Sequence, residues 1–172
     1  DDIINLFKKR NAFQVSTLSP ALPFALFDRS ISHATYEQQE NGKIVFDGII
    51  SLAKACLENG IPVGLGTDTA CPYVTQYDMW RELCYFVKYC GVSEKFALYS
   101  ATLLNATLAG IGDETGSIEK GKKAEMIVTR ENPLENLQAL RNLDMVIMRE
   151  NIIRSPKVKK IPEVETELDK WL

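Results

Sequence analysis

A short apolar run near the middle of the chain constrains the fold most strongly. Residues 61–67 read Ile-Pro-Val-Gly-Leu-Gly-Thr, without alternation between polar and apolar side chains. Such a run is typical of a strand that is buried on both faces, as in a parallel sheet. An amphipathic helix is predicted just before it, over 45–59, and an earlier strand over 13–18. Strand, helix and strand in this order predict a βαβ unit and an α/β fold.

Periodicity, capping residues and turn signals predict the remaining elements. The stretch 19–42, between the first strand and the helix, is a long excursion with short helical turns. Further helices are predicted over 1–10, 77–90, 93–104 and 133–140, with Asn105 capping one additional turn. Strands are predicted over 126–129, 145–148 and 152–154, the last two as a hairpin. The tail from Glu163 has apolar residues at helical spacing, so we expect it to dock on the rest of the chain.

Composition excludes several classes of function. The 172 residues are 45% hydrophobic, which is enough for an ordinary core. Net charge is −3, and the only cationic cluster is Lys157, Lys159 and Lys160, so a nucleic-acid surface is not expected. No apolar run approaches the length of a membrane span. The four cysteines form no CxxC pair, which favours reduced thiols in a cytoplasmic protein.

Histidine occurs once, as His33. Catalytic zinc sites usually take three protein ligands, most of them histidine. A chain with one histidine and no clustered cysteines does not easily build such a site alone.

Asp68 is the strongest candidate for chemistry. It follows the buried strand directly, in Gly66-Thr67-Asp68, and ligands and catalytic groups collect at the carboxyl ends of strands in α/β folds. A carboxylate there can bind a divalent metal or accept a proton from water. It can equally cap the loop or helix that follows. The pattern alone does not choose between these roles.

Four stretches, in this order, resemble the amidohydrolase superfamily, particularly its imidazolonepropionase-like and prolidase-like members. Residues 61–68 (IPVGLGTD) resemble the last strand of the family's barrel and the Asp that ends it. Residues 97–110 resemble the helix with the pattern AL..AT.NAA...G. Residues 116–128 (GSIEKGKKAEMIV) resemble the stretch that returns the chain to a small β-sandwich. The family's closing segment is similar to residues 132–134 (NPL) and 146–151 (VIMREN).

This resemblance implies an architecture. Residues 1–111 would form the last strands and helices of a (β/α)8 TIM barrel, 112–155 part of a small β-sandwich, and 156–172 a tail with a short helix. It also implies a metal-dependent hydrolase of C–N bonds in amides, cyclic amides or dipeptides. In such an enzyme a metal-activated water attacks the carbonyl. Asp68 would be a metal ligand, and it would take up the proton of the water and pass it to the leaving nitrogen.

The family's other metal ligands lie on barrel strands that would precede this chain. They are an HxH pair, a Lys or Glu, and two further histidines, so of the expected set only Asp68 is present. Zinc is the expected metal, and we expect that this chain alone does not hold it tightly. We also expect the isolated chain to be inactive.

Several loop residues are candidates for substrate contact. Thr69 and Tyr73 lie in the loop after Asp68, and His33 lies in the excursion after the first strand. Loops in these positions cover the active site of a barrel. A lone loop histidine is more often solvated or hydrogen-bonded than functional, and His33 has both interpretations. Cys71 shares the loop with Asp68, but no base is evident beside it.

Two other hypotheses compete with the hydrolase. The second hypothesis is that the chain as given is not an enzyme but a structural or interaction fragment. Two parallel strands cannot close a barrel, so their edges need a partner. That partner would be another copy or a missing N-terminal part. The third hypothesis is metal-free acid–base catalysis by Asp68 with another carboxylate, for which the candidates are Asp28, Asp47 and Asp78. Their spacing pairs none of them convincingly with Asp68.

Overall fold

The computed structural model of the protein describes residues 2–172, so Asp1, which the sequence assigns to the first helix, lies outside the described residues. That helix, α1, spans Asp2–Arg10. It ends at Asn11, whose backbone is left-handed with a φ of 48°, a conformation that asparagine tolerates better than most residues. The strand predicted over 13–18 is confirmed as β1, Gln14–Ser16.

The excursion after β1 contains short helices, as predicted, but it ends early. Two short helices come first, α2 (Leu22–Leu26) and α3 (Arg29–Ser32). The long helix α4 spans Tyr36–Glu58, so the predicted start near Val45 is wrong. The side chains of Thr35 and Gln38 each accept a hydrogen bond from the other's backbone N–H, at 3.2 and 2.8 Å. This capping box begins the helix before its apolar stripe does.

The second strand, β2, spans Val63–Leu65 and lies parallel to β1. Gln14 lies opposite Val63 and Ser16 opposite Leu65, while α4 forms the crossover between the strands. All three residues of β2 are buried, in agreement with its unbroken apolar sequence. The predicted βαβ unit is therefore confirmed.

A series of helices follows β2. They are α5 (Met79–Cys90), α6 (Glu94–Tyr99), a π-helical turn (Ser100–Leu104) and α7 (Asn105–Leu108). The last three form one continuous helical run, so the prediction that Asn105 begins a separate turn is wrong. Asn105 has helical backbone angles, with φ of −57° and ψ of −43°. Its side chain instead binds the backbone of Leu65 in β2.

A separate antiparallel sheet follows. Its strands are β3 (Glu125–Thr129), β4 (Leu143–Met148) and β5 (Asn151–Arg154), in that spatial order. The predicted hairpin is confirmed, with Arg149 left-handed in its turn at a φ of 58°.

The helix predicted over 133–140 is wrong in type and position, because a 3-10 helix occupies Leu137–Arg141. Two asparagines explain the difference. The Asn132 side chain accepts from the N–H of Leu134 and forms a turn, and the Asn136 side chain accepts from the N–H of Gln138, at 3.0 and 2.9 Å. Side chains of this kind favour turns and helix starts over helix interiors.

The tail forms helix α8, Pro162–Asp169, and it docks as predicted. Leu168 is 3% exposed in the main core. Arg81 of α5, which is 1% exposed, makes ion pairs with Glu165 and Asp169 at 3.1 and 2.7 Å. The tail is therefore part of the folded body.

The chain has a mixed α/β fold with one parallel and one antiparallel sheet. Within residues 2–172, no helix is both long enough and apolar enough to span a membrane. All four cysteines are free, which agrees with the absence of a disulfide framework. The domain boundaries and the cytoplasmic location stay predictions.

Candidate functional site

Asp68 lies just beyond the carboxyl end of β2 and is exposed. Its backbone is left-handed, with a φ of 50°. The residues that follow, 68–75, form a compact turn that we call the Asp68 loop. Ala70 and Tyr73 in this loop are also left-handed, with φ of 89° and 65°. Such residues cost free energy and persist only where their surroundings hold them.

Hydrogen bonds within the Asp68 loop hold this conformation. The N–H of Cys71 donates to the Asp68 carbonyl at 3.3 Å, and the N–H of Val74 donates to the Cys71 carbonyl at 3.0 Å. The hydroxyls of Thr67 and Thr69 share a hydrogen bond of 2.8 Å. These hydrogen bonds contribute to the backbone conformation that presents the Asp68 carboxylate.

The Cys71 thiol is a hydrogen-bond partner of the Asp68 carboxylate. Its sulfur donates to Oδ2 of Asp68 at 3.5 Å. Burial, this hydrogen bond and the negative charge of Asp68 raise the pKa of the Cys71 thiol. A raised pKa disfavours the reactive thiolate, so Cys71 is a poor nucleophile here.

Tyr73 joins the Asp68 loop to the excursion that follows β1. Its hydroxyl donates to the backbone carbonyl of Ile31 in α3 at 2.5 Å. Its ring meets Phe27 edge-on, with centroids 5.0 Å apart and planes at 70°. The predicted substrate contact of Tyr73 stays a prediction, and the structure gives its hydroxyl a partner within the protein.

His33 is exposed and ends α3 in a left-handed conformation, with a φ of 54°. It lies two residues after Ile31, the residue that Tyr73 contacts. The structure thus joins the segments that carry His33 and Asp68, while Thr69 lies exposed beside Asp68.

The other carboxylates proposed for metal-free catalysis occupy different elements. Asp28 caps α3 by accepting from the N–H and hydroxyl of Ser30, at 2.8 and 2.6 Å. Asp78 is buried and accepts from Thr75 and Arg81, at 2.7 and 3.3 Å. Asp47 is exposed on α4. Two of the three thus have structural partners, which does not favour the metal-free hypothesis.

A complete metal site is not formed by the described residues. Within residues 2–172, no group of three or more His, Cys, Asp or Glu side chains could hold a metal ion. Asp68 offers one carboxylate at the strand end, so the residues present do not make a ligand set by themselves.

Glu82 is a buried carboxylate that was not predicted from the sequence. It lies on α5 with no exposed surface, and accepts from the N–H of Leu18 at 2.7 Å and from the N–H and hydroxyl of Ser19 at 2.8 and 2.5 Å. Burial raises the pKa of Glu82 to about 7, against the opposing effect of these donors. The sequence signal that could have identified it is the position of a charged residue on the apolar stripe formed by Met79, Leu83 and Phe86.

Comparison with known proteins identifies the family. Residues 12–153 match the amidohydrolase family, and the chain belongs to it. Imidazolonepropionase of Thermoplasma acidophilum is 30% identical over 106 residues, which cover 60% of this chain and 26% of that protein.

Solved structures agree with this assignment. The crystal structure of a protein assigned as a prolidase, from Bifidobacterium longum, matches with a TM-score of 0.89 and 38% identity, over 92% of this chain and 39% of that one. A Xaa-Pro dipeptidase with methionine bound in its active site matches with a TM-score of 0.76 and 27% identity, over 89% of this chain and 37% of that one. This chain thus spans well under half the length of these relatives.

Proposed function

We propose that this chain supplies the C-terminal part of an enzyme that hydrolyses C–N bonds in amides, cyclic amides or dipeptides. Membership of the amidohydrolase family supports a hydrolase. The imidazolonepropionase and the Xaa-Pro dipeptidase among its relatives support a small amide or peptide substrate. The parallel β1–β2 pair with its α4 crossover is consistent with a segment of a (β/α)8 barrel. The antiparallel sheet is consistent with part of a small sandwich.

The observation that carries this proposal is the exposed Asp68 carboxylate at the carboxyl end of β2. In the proposed reaction, water adds its oxygen to the carbonyl carbon and gives its proton to Asp68. The C–N bond then breaks as Asp68 passes that proton to the leaving nitrogen. One carboxylate serves in turn as general base and general acid, and the overall reaction consumes one water.

Amidohydrolase family members generally bind divalent metals. Catalytic zinc sites usually need three protein ligands, and the described residues offer one at this strand end. We propose that Asp68 is one ligand and that the others come from outside residues 2–172. Zinc is the ion to test first.

The surroundings of Asp68 suggest how a substrate is held. Thr69 lies exposed beside it, and His33 follows the α3 segment that the Asp68 loop contacts through Tyr73. We propose that Thr69 and His33 contact substrate. Tyr73 has its hydroxyl bound to Ile31, so its ring is the part available for a contact.

Isotope labelling tests the proposed reaction class. The complete protein that contains residues 1–172 is incubated with zinc or manganese in H2¹⁸O, with a Xaa-Pro dipeptide and a cyclic amide as separate substrates. Mass spectrometry should find one ¹⁸O in the newly formed carboxylate of at least one product. Absence of C–N cleavage in both substrates, with the protein folded and metal supplied, would contradict the proposal.

A second candidate function is an interaction fragment. The antiparallel sheet leaves apolar side chains uncovered on one face, since Met148 and Ile153 are 54% and 48% exposed. Exposed apolar surface of this kind often marks an interface. A second copy or a separate N-terminal part would cover it. If a second copy covers it, sedimentation equilibrium of the 172-residue chain should give a mass above that of the monomer. A monomer at all concentrations would exclude the second copy as the partner.

A further inference from the structure

An aromatic series links the end of the chain to the Asp68 loop. The ring of Trp171 stacks on Phe27, with centroids 6.4 Å apart and planes at 16°. Phe27 has no exposed surface, and its ring meets Tyr73 of the Asp68 loop at 5.0 Å. Stacked and edge-on pairs at these distances are attractive beyond the area that they bury. Phe27 therefore packs against both Trp171 and Tyr73 of the Asp68 loop.

The position of Trp171 is itself fixed by charged groups. We call residues 162–172 the C-terminal segment. Arg81 and Arg141 each form ion pairs with both Glu165 and Asp169 of this segment, at N···O distances of 2.7 to 3.1 Å. Burial alone would raise the pKa of Asp169, but hydrogen bonds from the two arginines hold it below its usual range. These ion pairs are largely buried at Arg81, so they resist salt screening better than surface pairs.

The main chain beside Trp171 has a further anchor. The Lys88 ammonium donates to the backbone carbonyls of Trp171 and Leu172, at 2.9 and 3.0 Å. The indole N–H of Trp171 is buried without a hydrogen-bond partner among the described residues. Its ring thus contributes by packing, and a phenylalanine would keep that packing without the unpaired donor.

We propose that Trp171 is a positioning residue for the Asp68 loop. The loop holds three left-handed residues, Asp68, Ala70 and Tyr73, and such a backbone needs external support. Tyr73 is its contact with Phe27, and Trp171 packs on Phe27 from the C-terminal segment. The consequence for catalysis rests on the proposed function of Asp68, whereas the support of the loop does not.

Cys71 provides a probe of the loop that needs no enzymatic activity. It is partly buried and hydrogen-bonded to Asp68, so loosening of the loop should expose its thiol. Cys84 is also partly buried, and Cys56 and Cys90 are buried. In a Cys84→Ala background, a neutral alkylating reagent added to the folded 172-residue chain reports mainly on Cys71.

The experiment compares three variants in this background. Trp171→Ala should raise the rate of Cys71 alkylation about tenfold, since loss of aromatic packing favours local opening. Trp171→Phe should keep the rate within about twofold of the parent because it keeps a ring against Phe27. Val164→Ala, at a partly buried position of the same segment, removes apolar contacts without an aromatic ring and should leave the rate unchanged.

An unchanged rate in Trp171→Ala, or an equal rise in Val164→Ala, would overturn the proposal. The first outcome would mean that the loop stands without Trp171, and the second that the variants merely loosen the whole fold. In the complete protein, Trp171→Ala should lower kcat more than it raises KM, and Trp171→Phe should restore kcat. A rise in alkylation together with an inactive parent protein would keep this inference and reject the proposed hydrolase.

Discussion

The side chain of Asn105 satisfies both backbone polar groups of Leu65. Its Oδ1 accepts from the Leu65 N–H at 3.0 Å, and its Nδ2 donates to the Leu65 carbonyl at 2.8 Å. The next residue, Gly66, donates its backbone N–H to the Ser16 carbonyl in β1. The backbone groups of Leu65 therefore point toward the other edge of β2. A carboxamide thus takes the place of a neighbouring strand at this position. The sequence predicts unpaired backbone groups at the edges of the two parallel strands, and Leu65 is an exception.

Replacement of Asn105 by alanine should destabilise the protein. It leaves the buried N–H and carbonyl of Leu65 without partners, and we expect a loss of about 2–4 kcal/mol in the free energy of unfolding. Chemical denaturation measures this loss. Hydrogen exchange should also show faster exchange of the Leu65 amide in Asn105→Ala. Asn142→Ala, at an exposed position, should change neither measurement.

Glu82 should make stability depend on pH. Because burial raises the pKa of its folded-state carboxyl from 4.5 to about 7, the folded state holds the proton more tightly than the unfolded state. Its contribution to stability is therefore complete below pH 4.5 and is lost as the pH rises through 7. The loss is on the order of 3 kcal/mol, from 1.36 kcal/mol for each pH unit.

Denaturation curves at pH 5 and pH 8 test this prediction. The parent chain should lose stability between these values, and Glu82→Gln should lose much less because an amide does not titrate. Glu58→Gln, at an exposed position on α4, serves as the control and should follow the parent. Equal pH dependence in the parent and Glu82→Gln would show that Glu82 is not the source.

Two glycines allow the cost of a strained backbone to be distinguished from the cost of a steric clash. Gly116 and Gly121 both have positive φ, at 92° and 97°. A Cβ on Gly116 would lie 2.8 Å from Cβ of Ala106 and 2.9 Å from Cα of Leu103, whereas a Cβ on Gly121 would meet nothing within 4 Å. Gly121→Ala should cost about 1–2 kcal/mol from strain alone. Gly116→Ala should cost about 1–3 kcal/mol more, because the helical backbone must move. Thermal or chemical denaturation of both variants gives the comparison, and equal costs would contradict it.

The central part of the fold could be predicted from the sequence because its signals are local. The unbroken apolar run before Asp68 identified β2, and the helical stripe before it identified the crossover α4. The start of α4 was missed because Thr35 and Gln38 form a capping box outside that stripe. The predicted capping role of Asn105 was wrong for a different reason. Its side chain bonds to a residue that is distant in sequence, and capping rules consider only nearby residues.

The site was predicted less completely than the fold. A strand end identified Asp68, but no local pattern relates Tyr73 to Ile31 or Trp171 to Phe27, since these contacts depend on how loops and the tail pack. Glu82 was overlooked because an amphipathic helix normally places glutamate toward solvent. Its bonds to Leu18 and Ser19 depend on the approach of a loop far away in sequence.

The most direct test of the proposed function compares two identical substitutions at different carboxylates. In the complete protein, supplied with zinc or manganese, kcat/KM for the best C–N substrate is measured for the parent, Asp68→Asn and Asp47→Asn. We predict that Asp68→Asn lowers kcat/KM by about 10²- to 10⁴-fold through loss of proton transfer, and that Asp47→Asn stays within about twofold of the parent. Near-normal activity of a folded Asp68→Asn protein would contradict the assignment of Asp68.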